Sequence, residues 1–244
     1  MIKLLGGLVC GLLVACGGAV QGPSQHASTL DMCEGGVARN DAGLTRYEHC
    51  ALITGDLAIS GVTSLSALSQ LRGVSGRLSV SNTTELEGLE GLEHLATVKQ
   101  LELRGNSHLL GLSGLEQLRH AGEIVIHGNP ELRTLSGLEG IEQLEGLSVS
   151  RSGLYSLHGV ENVSQLAKLS LIGNRELIDP SALNDARGVR EVVVQHNPRL
   201  CAHFGLLPRV THPERVSFYE NAALERATVR RFVEPRSQAT LAAR

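Results

Sequence analysis

Residues 109–129 read Leu109-Leu-Gly-Leu-Ser-Gly-Leu-Glu-Gln-Leu-Arg-His-Ala-Gly-Glu-Ile-Val-Ile-His-Gly-Asn129. Two apolar rhythms follow one another here. Leu109, Leu112, Leu115, Leu118 and Ala121 recur at every third position, and then Ile124 and Ile126 alternate with polar neighbours or Val125. Alternation marks a strand with one buried face. A step of three fits no long α-helix: at about 100° per residue it falls about 60° short of a turn, so four steps smear the leucines over about 240° of surface. It suits 3₁₀ turns and short extended corners. The stretch predicts a thin return path leading into one strand.

The same unit recurs along the chain, beginning at Gly55, Gly76, Lys99, Gly122, Glu145, Ala167, Arg190 and Glu214, with four steps of 23 residues and others of 21, 22 and 24. The inward pairs are Leu57/Ile59, Leu78/Val80, Leu101/Leu103, Ile124/Ile126, Leu147/Val149, Leu169/Leu171, Val192/Val194 and Val216/Phe218. No hairpin turn joins the strands, and a constant step makes them parallel neighbours in a stack. The expected fold is mainly β: a parallel β-solenoid over residues 33–224, of about eight coils of ~23 residues and little α-helix, ~38 Å long at ~4.8 Å per coil.

Asn106, Asn129, Asn174, Asn197 and Asn221 follow their strands at one offset. Buried at a corner, each amide can bond backbone groups of adjacent coils, which makes an Asn ladder structural. The stack needs caps. Residues 33–54 read as a degenerate first coil. At the far end Pro180, His203, Pro208 and Pro213 erode the pattern, and Leu224, Thr228, Val229, Phe232 and Val233 predict a capping helix over 222–233 with Asn221 as its N-cap. A disordered tail is expected over 234–244.

Composition agrees with a repeated layer. Hydrophobic residues make up 42% of 244, but aromatics only 2% and Trp none, so Leu, Val, Ile and Ala must fill the core. A net charge of −3 offers no field for nucleic acid. Charge is nonetheless uneven: residues 85–145 carry 11 acidic and 4 basic side chains, residues 186–244 carry 5 and 10.

The first residues read as an address. Lys3 precedes the apolar run Leu4–Val14, too short to span a bilayer as a helix and suited to a signal peptide over 1–15. Leu13-Val14-Ala15-Cys16 resembles the lipobox of bacterial lipoproteins. That resemblance implies lipidation of Cys16, a membrane anchor, and, with Gly17 rather than Asp next, the outer membrane. Residues 16–32, rich in Gly, Ser and Gln, read as a tether of ~20–25 Å. An exported compartment permits disulfides. Cys33 and Cys50 would close a short loop and clamp the first coil, stabilising by ~3 kcal/mol. Cys201 is then odd, either buried and inert or paired between molecules.

The strings Ile53-Thr-Gly-Asp-Leu-Ala-Ile59 and Gly122-Glu-Ile-Val-Ile-His-Gly-Asn-Pro-Glu-Leu132, with Leu135-Ser-Gly-Leu-Glu139, resemble receptor L domains. The resemblance covers roughly 33–224 and implies a right-handed, leucine-rich β-helix without enzymatic activity, with Cys33 and Cys50 matching the family's N-terminal cysteine pair. Leu95-x-x-Val98-x-x-Leu101-x-Leu103-x-x-Asn106 is also similar to short bacterial leucine-rich repeats.

No HExxH, GxSxG, phosphate-binding glycine loop or CxxC occurs, so no enzyme, cofactor or metal is expected. His120 with His127 and His203 with His212 lack a third ligand. The outward middle column is expected to be Ala58, Ser79, Glu102, Val125, Ser148, Ser170, Val193 and Ser217; the last is Ser60, Ser81, Arg104, His127, Ser150, Ile172, Gln195 and Tyr219. Arg104, Glu102, His127, Gln195 and Tyr219 are the candidate binding surface. The expected function is a cell-envelope module for a protein partner or other ligand, against a passive spacer as the alternative.

Overall fold

A computed structural model describes residues 31–201, 207–210, 213–221 and 224. The signal segment, Cys16, nearly all of the tether, the helix expected over 222–233 except Leu224, and the 234–244 tail lie outside the described residues.

Nine strands form one sheet in chain order, every pair parallel: β1 Met32–Ala38, β2 Leu52–Ser60, β3 Gly73–Ser81, β4 Thr97–Arg104, β5 His120–His127, β6 Gln143–Ser150, β7 Gln165–Ile172, β8 Glu191–Gln195 and β9 Arg215–Tyr219. All neighbours in sequence are parallel neighbours in space, and with no crossover helix between them among the described residues this is a solenoid of one strand per coil. The chain is therefore the mainly β, parallel solenoid that the repeat predicts. Its helix is confined to α1, Asp41–Leu44, and three 3₁₀ turns among the described residues.

The register aligns the inward pairs as expected. Leu57, Leu78, Leu101, Ile124, Leu147, Leu169, Val192 and Val216 form one row across β2–β9. The return-path leucines are also inside: Leu89, Leu92, Leu95, Leu112, Leu115, Leu118, Leu135 and Leu138 have no exposed surface. Their spacing has a local cause. The Leu92 N–H donates to Leu89 O and Leu95 N–H to Leu92 O, and the next coil repeats this from Leu112 to Leu115 to Leu118. Successive i to i+3 turns bring every third side chain back to one side.

Two departures refine the expectation. Val98, Ala121 and Leu144, which continue the period of three, lie within strands β4, β5 and β6. In each strand two residues rather than one separate them from the inward row, so the strict alternation breaks there. The first coil also contributes a paired strand: Gly36 and Ala38 of β1 face Leu57 and Ile59. Small residues there leave room for Leu44, Tyr47 and Cys50, which are buried against the end of the core. Asn40 caps α1 by accepting from Gly43 N–H, and Asp41 ties this coil to the next through Thr63 N–H and hydroxyl, both at 2.9 Å. The Cys33–Cys50 disulfide is formed.

Two backbone columns set the coil-to-coil spacing. Gly91, Gly114, Gly137 and Gly159 have φ between 99° and 113°, and a Cβ on any of them would collide with a Leu carbonyl of the preceding coil. The carboxylate two residues on, Glu93, Glu116, Glu139 or Glu161, accepts each glycine N–H. The second column is the residue that leaves the sheet: Gly61, Asn82, Gly105, Gly128, Arg151, Gly173, His196 and Glu220, all with φ from 51° to 70°. From Asn82 to His196, its N–H donates to a strand-end carbonyl of the next coil, as Gly128 does to Ser150 O at 2.9 Å.

Candidate binding surface

The Asn residues sit one step inside that corner and are buried rather than displayed. Asn129 Nδ2 donates to Leu103 O at 3.1 Å, while its Oδ1 accepts from Asn106 N–H at 3.0 Å. Asn106, Asn174 and Asn197 repeat both bonds toward the coil before them. Asn221 extends the row: its Oδ1 accepts from Asn197 N–H and its Nδ2 donates to Val194 O. That amide continues the ladder, and the helix expected to follow it lies outside the described residues apart from Leu224. Thr83 and Ser152 complete the row in coils that lack Asn; both are buried, and the sequence reading passed over them. Their offset from the strand is the signal that finds them.

The outward columns stand in the predicted register. The five candidate surface residues do not form one site. Glu102, Arg104 and His127 lie together on β4 and β5, whereas Gln195 and Tyr219 lie on β8 and β9. Ser148, Ser150, Ser170 and Ile172 separate them.

On the first patch, Glu102 is almost covered, with its side chain 10% exposed. Arg104 Nε lies 2.5 Å from Glu102 Oε1, and Arg77 Nη1 3.8 Å from its Oε2. Arg77 also holds Asp56 at 3.1 Å. The Arg77 backbone N–H holds the Asp56 carboxyl below its ordinary value against the opposing effect of burial, and the Arg77 guanidinium adds to the lowering. Glu102 is thus a positioning carboxylate, and the two guanidiniums it steadies are what the surface presents. His127 Nδ1 lies 2.9 Å from Ser150 Oγ. Arg77 belongs to a third outward column, with Gln100, Glu123, Lys168, Glu191 and Arg215, that the sequence reading missed. The break in alternation just before the inward row hides it, because two residues rather than one stand there between buried positions.

On the second patch, Gln195 Nε2 donates to Ser217 Oγ at 2.7 Å. The exposed Tyr219 ring meets His196 edge-on at 5.3 Å. A hydrogen bond to Glu220, then its negative charge, raises the Tyr219 hydroxyl above its ordinary value.

His120 and His127 fall at opposite ends of β5, too far apart along the strand to share an ion. His203 and His212 lie outside the described residues. Cys33, His49 and Cys50 bring their ligand atoms within 4.8 Å of one another. As a disulfide, neither sulfur is the thiolate a metal would need. Cys201 is a partly buried free thiol. No helix among the described residues is long and apolar enough to cross a membrane.

Residues 49–143 match the family model of the receptor L domain. The match starts beside the Cys50 clamp and ends at the start of β6, and the remaining coils continue it in register. It suggests a module that binds a ligand or protein. No curated protein matches the chain.

Proposed function

We propose that the chain is an exported lipoprotein, anchored through Cys16 in the outer membrane of a bacterial envelope, whose solenoid binds a protein partner through the outer face of its sheet. One observation carries the binding reading: Arg77 and Arg104 are fixed by the buried Glu102 on an otherwise small-residue face. Guanidiniums held in place before contact lose little side-chain freedom on binding, and arginine is enriched at interface hot spots. The neighbouring Ser79, Ser81 and Val125 leave a flat approach for a carboxylate-bearing partner surface. The Cys33–Cys50 bond supports export, since disulfides persist in oxidising compartments. The proposal contains no catalytic step, cofactor or nucleic acid.

A photo-crosslinking residue at Val125, on this face, tests the reading against one at Gln117 on the return path. An adduct from position 125 in intact envelopes, lost with Arg104→Glu and absent from position 117, is expected. No adduct, or equal adducts from both positions, would leave a passive spacer. The anchor is tested apart from this: Cys16→Ala should abolish incorporation of labelled fatty acid and release the protein from membranes.

A further inference from the structure

The corner column changes character along the solenoid. Its left-handed conformation costs an L-residue with a Cβ about 1–2 kcal/mol, and glycine or asparagine is the usual occupant. Coils two to five obey this with Gly61, Asn82, Gly105 and Gly128. Arg151 and His196 then occupy the same position at φ 51° and 56°. A bulky side chain kept against its backbone preference points to a use for that side chain.

Both residues open onto one notch, and the repeat explains why it exists. From the last inward strand residue to the next buried Leu is six positions in neighbouring coils, Ile126 to Leu132 and Leu171 to Leu177. It is five in the intervening coil, Val149 to Leu154, where Ser152-Gly153 stands in place of Asn-Pro-Glu or Asn-Arg-Glu. The shortened corner leaves a cleft of about 700 Å³ walled by Pro130 on one side and Arg175 on the other, with Arg151, Gly153 and His196 around it. Nothing larger than Gly153 fits the floor, since a Cβ there would collide with the Pro130 carbonyl.

The charges in the notch are unbalanced. Among the described residues, neither Arg151 nor Arg175 has a carboxylate partner. Glu176, which also lines the notch, is already paired with Arg199, and the neighbouring Glu220 with His196 at 2.6 Å. The Arg151 stem lies over Gly173, where a Cβ would be 3.6 Å from its Cγ, so this side chain is directed along the corner toward the Arg175 coil.

We propose that this notch is a binding site for a tetrahedral oxyanion dianion of the phosphate type, free or as the head of a sugar phosphate. Two guanidinium forks on different coils can each take two oxygens of a tetrahedral group, whereas a planar carboxylate satisfies one fork. The site is distinct from the Arg77–Arg104 face, and it stands if that face binds nothing.

The test is titration calorimetry on the full chain with inorganic phosphate, glucose 6-phosphate and succinate, repeated for Arg151→Gly, Arg175→Gln and the remote control Arg72→Gln. Saturable phosphate binding is expected, weakened about tenfold or more by each notch variant and unchanged by the control. Arg151→Gly relieves the left-handed residue, so its Tm should equal or exceed that of the parent, which separates lost binding from lost folding. Glucose 6-phosphate binding at least about fivefold tighter than phosphate identifies a sugar phosphate, and equal affinities identify the free ion. No binding of either, equal loss in the control, or succinate binding as tightly as phosphate would overturn the proposal.

Discussion

The corner that leaves the sheet is built twice on one plan. In coils two to five it is Gly61, Asn82, Gly105 and Gly128; in the later coils it is Arg151, Gly173, His196 and Glu220. The left-handed backbone is the same in both halves, and from Asn82 to His196 so is the N–H donated to the next coil. What differs is the side chain the corner shows to solvent. A solenoid holds its inner positions to one residue type because each must fit two neighbours, while its outer positions answer to nothing inside. Local conflict with backbone preference, as at Arg151, therefore marks the places where something other than stacking is at work.

If the two halves share one interior, equivalent deletions should cost the same. Leu103→Ala and Leu171→Ala, both fully buried and in the same strand row, should each lower the unfolding free energy by about 2–5 kcal/mol in urea titrations. A large inequality would break the comparison at its root. The ladder is the next largest effect. Asn129→Ala and Asn197→Ala each strand a buried N–H and a carbonyl, for a loss of about 2–4 kcal/mol. Ser152→Ala should cost less, about 1 kcal/mol, because its hydroxyl accepts a long 3.4 Å bond from Asn129 N–H and donates a 3.2 Å bond to Ser150 O within its own coil.

The corner itself gives an unequal pair. Gly128→Ala adds a Cβ at φ 67° and should destabilise by about 1–2 kcal/mol, whereas Arg151→Gly should destabilise by nothing measurable. Equal losses in thermal melts would show that Arg151 is there for stacking after all.

The smallest effect is acid sensitivity. The Thr63 backbone N–H is the largest influence on Asp41 and holds it below its ordinary value of 3.8. Burial pushes Glu161 up, but N–H groups of Glu161 and Gly159 and the His158 ring outweigh it and leave it below 4.5. A carboxyl lowered in the folded state stabilises above its unfolded value, and that contribution is lost as pH falls through the folded one. Urea midpoints should therefore fall from about pH 5 to about pH 2, and less steeply in Asp41→Asn.

Much of this was legible in the residues. The strand rows and the return-path leucines are read directly, because burial of one side of a repeated path imposes a period on the sequence. The Asn row was equally plain, since its offset from the strand is constant. Val98, Ala121 and Leu144 read as return path because two residues, rather than one, separate each from the inward row, which gives the same spacing of three. The β1 strand escaped its row because Gly36 and Ala38 carry no hydrophobic signal. Glu102 stood out as a surface residue; only the approach of Arg77 from β3 and Arg104 from β4 shows that it is covered.

The sequence by itself determined the coil: its length, its inward side and the polar row at its corner, all of which follow from rules of near neighbours along one chain. Only the stacked structure decided which side chains from different coils meet, such as Arg77 with Glu102, and that a one-residue deletion before Leu154 opens a notch between Pro130 and Arg175. Those contacts depend on register between segments about 23 residues apart, and backbone pairing between coils fixes that register.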